Sequence, residues 1–103
     1  MKFTAIALHE EDNVAVVLCD VLNREEKAIV GGRQEREVEA RDDIRFGHKI
    51  ALRDIARGDV IRKYGRPIGV STRDIQKGEH VHVHNVGGLR AGARSEERGE
   101  ARP

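Results

Sequence analysis

The chain has 103 residues, with two Phe, one Tyr and no Trp; 38% of it is apolar and 36% charged. This length fits one domain, and a chain this small buries a modest fraction of its surface, so a core of Val, Ile, Leu and Ala is expected and a large enclosed substrate pocket is not. Nineteen basic residues against eighteen acidic ones leave a net charge of +1, which gives no electrostatic footprint for nucleic acid. No apolar run approaches the roughly 20 residues that span a bilayer. The start, MKFTAIALHEEDN, lacks the pattern of a secretory signal. A single cysteine, Cys19, excludes an internal disulfide and a CxxC zinc site. The expected location is the cytoplasm.

In chain order, Phe3–Leu8 and Val14–Leu18 are apolar runs of strand length separated by His9-Glu10-Glu11-Asp12-Asn13, a hairpin pattern. Further predicted strands are Ala28–Val30, Arg36–Ala40, Lys49–Leu52, Val60–Lys63, Pro67–Ser71 and Val81–Asn85, with glycines between them. Helical periodicity is weak; Asn23–Lys27 supports at most one short turn. Eight or so short strands predict a mostly β, compact, mostly antiparallel, barrel-like fold. The globular domain is expected over residues 1–89. From Arg90 to Pro103 the sequence carries four Arg, three Glu and no large apolar residue, and is expected to be a disordered tail.

One internal repeat is visible. Residues 53–61 read RDIARGDVI and residues 73–81 read RDIQKGEHV. A degenerate third copy is expected at Leu18-Cys19-Asp20-Val21, aligned with Leu52-Arg53-Asp54-Ile55. In each copy the Ile would enter the core, the Asp would accept backbone N–H groups, and the Gly would take a conformation that side chains resist. The repeat speaks for fold rather than chemistry.

Chemistry concentrates in His80-Val81-His82-Val83-His84-Asn85. Read as a strand, it puts the three imidazoles on one face, about 6.5–7 Å apart, and the two valines on the other, toward the core. Such a face is a candidate metal surface, since neutral imidazole suits iron, zinc and copper and manganese less well; a merely His-rich exposed strand face is the alternative. Phe46-Gly47-His48-Lys49 reads as a turn whose His and Lys could bind an anion. Tyr64, at the turn Tyr64-Gly65-Arg66-Pro67, could pack or offer its hydroxyl to a ligand. Cys19 reads as a small buried hydrophobe and His9 as a surface residue.

The run from Gly47 to Asn85 resembles the SAF-type, β-clip module of the altronate/galactarate dehydratase family. The matching elements are Gly47-His48-Lys49-Ile50-Ala51-Leu52-Arg53-Asp54-Ile55, the Tyr64-Gly65 and Pro67-Ile68-Gly69 segments, and the closing Gly78-Glu79-His80-Val81-His82-Val83-His84-Asn85. Similarity extends over roughly residues 3–86. One departure is the stretch 22–27, where a glycine-containing turn is usual and none is present. The resemblance implies a lyase that removes water from a sugar acid to give a 2-keto-3-deoxy acid, with divalent iron or manganese, Fe2+ or Mn2+. It implies catalytic roles for His48, Lys49, His82 and His84, substrate contacts from Lys49, Asn85 and Tyr64, and metal contacts from His82, His84 and His80. It further implies a small subunit that is inactive without a large catalytic partner; a homo-oligomer of the isolated chain is left open. A sulfolactate sulfo-lyase subunit and a non-catalytic SAF module that binds carbohydrate or protein are the alternative readings.

Overall fold

The computed structural model describes residues 2–89, so the expected tail at 90–103 lies outside the described residues. Its named elements are all strands: β1 (Ala5–Ala7), β2 (Val14–Val17), β3 (Val21–Leu22), β4 (Lys27–Gly32), β5 (Arg36–Glu39), β6 (Ile44–Arg45), β7 (Lys49–Ala51), β8 (Val60–Lys63), β9 (Arg66–Ser71), β10 (His80–Val81) and β11 (Val86–Gly87). A six-stranded sheet runs in the order β10-β7-β2-β1-β4-β5, a three-stranded sheet in the order β11-β9-β8, and β3 pairs with β6. The β1–β2 hairpin forms as expected. The strand pairings of the described residues are mostly antiparallel, as expected, with β1 and β4 paired in parallel. Asn23–Lys27 forms no helical turn beyond one bond, Glu26 N–H to Asn23 O at 2.9 Å.

The core is aliphatic. Ala5, Ala7, Val17, Val30, Ile44, Ile50 and Leu52 belong to one buried cluster, and Val14, Ile55, Ile61, Ile75 and Val81 to a second. All three aromatics stay partly outside: Phe3 is 38% exposed, Tyr64 39% and Phe46 62%. Cys19 is half-buried against the first cluster.

The repeat organises the corners of the fold. Ile55 and Ile75 are buried and exchange both backbone bonds at 2.8 Å. Asp54 Oδ1 accepts from Lys77 N–H, and Asp74 Oδ1 accepts from Arg57 N–H, each at 2.9 Å. The two copies therefore cap each other about a local pseudo-two-fold. The third copy is not where the sequence reading aligned it. Gly58 and Gly78, three residues after Ile55 and Ile75, have φ of 92° and 93°. The same offset joins buried Leu22 to Glu25, with φ of 79°, and buried Ile44 to Gly47, with φ of 83°. The degenerate copy is thus shifted by one residue: Leu22 is buried and Val21 is 42% exposed. A fourth copy starts at Asp43-Ile44. These two corners also pair, Leu22 opposite Ile44, and Arg24 N–H donates to Asp43 Oδ1 at 2.7 Å.

Buried polar side chains tie the hairpin to the second sheet. Asp12, fully buried, accepts from the N–H groups of Gly65 (2.7 Å), Tyr64 (2.9 Å) and His9 (3.2 Å). The Asn13 amide imitates a strand partner for β8, donating to Val60 O and accepting from Arg62 N–H, both at 2.8 Å.

Two outcomes follow. Glu25 holds a left-handed conformation that costs an ordinary residue about 1–2 kcal/mol and glycine little. Glu25→Gly is therefore expected to stabilise the chain by roughly 0.5–1 kcal/mol, read as a higher urea midpoint. Asp12→Ala strands several backbone donors and should lower stability by about 2–3 kcal/mol in the same assay.

Candidate functional site

The site forms where β10 closes the edge of the six-stranded sheet. β7 and β10 run antiparallel, with His80 opposite Ile50 and Val81 opposite Lys49. Ile50 and Val81 point inward and are fully buried. One step further, this register sets His82 across from His48, and their rings stack with centroids 3.7 Å apart and planes 8° apart. His48 Nδ1 lies 2.9 Å from His80 Nε2, a hydrogen bond between two imidazoles. A ligand nitrogen from each of His48, His80 and His82 lies within 4.8 Å of the others.

The expected strand over 81–85 does not form. β10 ends at Val81, and residues 82–85 make a turn in which Asn85 N–H donates to His82 O at 3.1 Å. The cause is the Asn85 side chain. It is 3% exposed; its Oδ1 accepts from His82 N–H at 3.0 Å and its Nδ2 donates to His80 O at 2.9 Å. This local bonding outcompetes the β-propensity of the His/Val alternation. Val83 consequently faces solvent, at 80% exposure, instead of entering the core.

The expected residues are therefore regrouped. Of the three histidines read as metal ligands, His80 and His82 converge, and the third member of the cluster is His48. His84 sits on the exposed turn, its ring tilted 40° to that of His80 at 4.9 Å. Asn85, read as a substrate contact, has both ends of its amide committed to backbone. Tyr64 lies at the β8–β9 turn with φ of 55°; its N–H is bonded to Asp12 and Lys63 Nζ lies 5.3 Å from its ring centre. It shares no hydrogen bond or ring contact with the imidazoles among the described residues. His9 is exposed, as expected. The residue missed as part of the site's framework is Asp42, whose Oδ2 accepts from His80 N–H at 2.9 Å. It belongs to the same Arg41-Asp42-Asp43-Ile44 stretch that carries the unrecognised fourth copy.

The electrostatics favour neutral imidazoles. Burial, then the charges of His84, His48 and His82, lower His80 to about 4, with Asp42 opposing. Burial, then His48, Lys49 and His84, lower His82. Half-buried Lys49 is lowered by burial and then by Lys63. Burial and the neighbouring cations outweigh Asp42 here, so His80 and His82 resist protonation. Neutral imidazole nitrogens are metal ligands. His82 Nδ1 is buried and has no hydrogen-bond partner, an orphan that an ion or a ligand donor would satisfy. The donor set thus fits a divalent transition metal.

Beside the cluster is an open cleft of about 180 Å³ lined by Asp42, Arg73, Glu79, His80, His84 and Asn85. It is smaller than the roughly 300–1,000 Å³ of most small-molecule sites. A larger depression of about 440 Å³, lined by Arg24, Glu37, Glu39 and Lys77 among others, contains no imidazole and lacks the chemistry of a site.

The lowered His80 value has a consequence for stability. The unfolded chain takes up this proton near pH 6.5 and the folded chain only near 4. Its contribution to stability is therefore complete above about pH 6.5 and is lost as pH falls toward 4. Metal-free protein should show a thermal midpoint that declines over that window. His80→Gln should flatten the decline, and an NMR titration of the His80 ring should show it neutral at pH 5.5.

Three comparisons bear on what this arrangement belongs to. The altronate/galactarate dehydratase SAF domain matches residues 3–88. Altronate dehydratase of Bacillus subtilis is 46% identical over 81 residues, and that of Escherichia coli K12 is 45% identical over 81 residues; each alignment covers 79% of this chain and 16% of the relative. The (2R)-sulfolactate sulfo-lyase subunit alpha of Chromohalobacter salexigens is 48% identical over 50 residues, 48% of this chain and 53% of the relative. The chain thus spans about a sixth of the length of the altronate dehydratases it matches. With the β architecture and the residues 3–88 accounted for, the chain belongs to the altronate/galactarate dehydratase SAF-domain family.

Proposed function

We propose that this chain is the SAF part of a sugar-acid dehydratase of the altronate type, a hydro-lyase component that works in the cytoplasm with a large catalytic partner. The observation that carries this is the convergence of His48, His80 and His82, with Lys49 alongside, at an open sheet edge. Elimination of water from an aldonate or aldarate takes the proton alpha to the carboxylate and expels hydroxide, with a proton, from the beta carbon. The resulting enol tautomerises to the 2-keto-3-deoxy acid. A base, an acid and a cation beside the developing enediolate are required.

The residues divide these tasks. His48, His80 and His82 would hold Fe2+ or Mn2+, which when bound supplies a Lewis acid for the oxygen that gains charge. Lys49, half-buried and lowered by that burial, is suited to holding the substrate carboxylate or to giving up a proton more readily than a free lysine. His84 stands exposed at the rim, where it can reach a substrate hydroxyl. Asp42 and Asn85 fix the backbone at His80 and His82.

A partner is favoured by the shape of the site. The cleft alone encloses no six-carbon acid, and Phe46 and Val83, 62% and 80% exposed, flank the cluster at two residues from His48 and one from His82. Such apolar side chains beside a polar centre are what a covering protein surface would bury. A second reading is favoured by the shorter relatives. The chain aligns with 53% and 69% of two sulfolactate sulfo-lyase alpha subunits, so a small lyase subunit that expels sulfite from sulfolactate is the alternative.

Reconstitution decides between them. The chain, purified together with a candidate large lyase subunit, is assayed on altronate, galactarate and (2R)-sulfolactate. Turnover of a sugar acid is expected, with His82→Ala and Lys49→Met each reducing kcat at least about 100-fold. Turnover of sulfolactate alone would establish the alternative, and unchanged activity of both variants would refute the site.

A further inference from the structure

The four corners share one more position, and only one of them departs from its rule. In each corner the residue after the left-handed position donates its N–H back to the carbonyl three residues earlier: Glu26 to Asn23 O, His48 to Arg45 O, Asp59 to Ala56 O and Glu79 to Gln76 O, at 2.9–3.0 Å. In three corners this residue is an acid, and its carboxylate closes the turn from the other side. Glu26 Oε1 accepts from Asn23 N–H at 2.6 Å, Asp59 Oδ2 from Ala56 N–H at 3.0 Å, and Glu79 Oε1 from Gln76 N–H at 2.8 Å. This is the reciprocal bonding of a capping box carried into a β-turn. In the fourth corner the position is His48. Its ring turns away from Arg45 N–H and bonds to His80 Nε2.

We infer that position 48 is a turn-cap position given over to ligand binding, and that His48 is kept there against the stability of the chain. The inference rests on the proposed reading of the imidazole cluster as a ligand site, and it adds which member defines that site. Nothing in the local fold calls for an imidazole: β7 begins after it, Gly47 supplies the left-handed residue, and Ile44 and Ile50 supply the burial. An acid would serve the turn better, as it does in the other three corners. It would also bring a negative charge into the centre where His80 and His82 face each other. The histidine is therefore explained by what it binds. His80 and His82 come from a different corner and its following turn, so His48 is the one donor that β7 and its preceding turn contribute, and without it the three-nitrogen set does not exist.

The inference has a sign that a purely structural histidine would not give. His48→Glu and His48→Asp in the 103-residue chain should each raise the thermal midpoint by about 4 °C, the worth of one regained turn bond in a domain of this size. Co2+ alone, followed by its visible absorption, should bind the wild type and bind His48→Ala, which leaves no ligand atom at this position, at least tenfold more weakly. Asp59→Ala calibrates the assay: it removes a cap at a corner outside the cluster, and should lower the midpoint by a comparable amount with Co2+ binding unchanged. A lower midpoint in both carboxylate variants would overturn the inference, as would a Co2+ affinity of His48→Ala within twofold of wild type. A wild-type chain that takes up no Co2+ would refute the metal reading of the cluster, while the thermal arm would still decide whether position 48 is an abandoned cap.

Discussion

The site depends on one short strand pairing, β7 against β10, and on the amide that ends it. Two residue pairs set the register, and burial of Ile50 and Val81 enforces it. A slip of β10 by one residue would turn Val81 out of its own cluster and onto the face that Ile50 already fills, so the core itself holds the register. The stack of His48 on His82 is a by-product of that enforcement. Asn85 then stops the strand by bonding to the backbone at His80 and His82, which swings His84 and Val83 outward and leaves His80 and His82 facing His48. Core packing, a turn amide and three rings thus form one mechanical unit, in which the rings are carried by backbone that has little freedom to move.

The same economy runs through the fold. A chain with three partly exposed aromatics and an aliphatic core has a limited hydrophobic reserve. Buried polar side chains make up part of the difference by joining sheets that share few strands. Asp12 fastens the first hairpin to the β8–β9 turn, and Asn13 extends β8 with its own amide. The reciprocal caps of the corner pairs do the same for the loops. Stability spread over several turn bonds tolerates the loss of one, which is the condition under which a cap position can be released for chemistry.

Much of this was legible in the sequence, for physical reasons. Ala5–Ala7, Val14–Val17 and Val60–Lys63 lie within predicted strands because apolar runs of that length between glycines and polar turns have few other uses. The Asp-Ile-x-x-Gly frame located the paired corners at 55 and 75. The copy at Asp43-Ile44-x-x-Gly47 has the same frame and went unrecognised, because its acid is replaced by His48 and the stretch read as an anion-binding turn. The copy at Leu22 was misaligned because Glu25 stands where glycine marks the others. The run 80–85 was read as a strand because alternation of β-branched residues is the strand signal, and a single Asn whose side chain bonds two backbone groups leaves no periodic trace. The ring cluster was half legible: the histidines identified the chemistry, but which three meet depends on a cross-strand register that no local pattern encodes.

A half-buried imidazole cluster, a lowered Lys49, an orphaned His82 nitrogen and apolar neighbours at Phe46 and Val83 gather at one sheet edge, the surface on which the proposed partner would sit. Family membership gives that surface its context, and the central claim is that these three rings act together on one ligand. The most direct test is an NMR measurement of the imidazole ring nitrogens as Zn2+, a diamagnetic stand-in for iron or manganese, is added to the full chain. The account predicts that the nitrogens of His48, His80 and His82 move together and saturate at one ion per chain, while His9 keeps its free-ring shifts. Rings that respond independently, or a His9 that responds as strongly as the cluster, would contradict it.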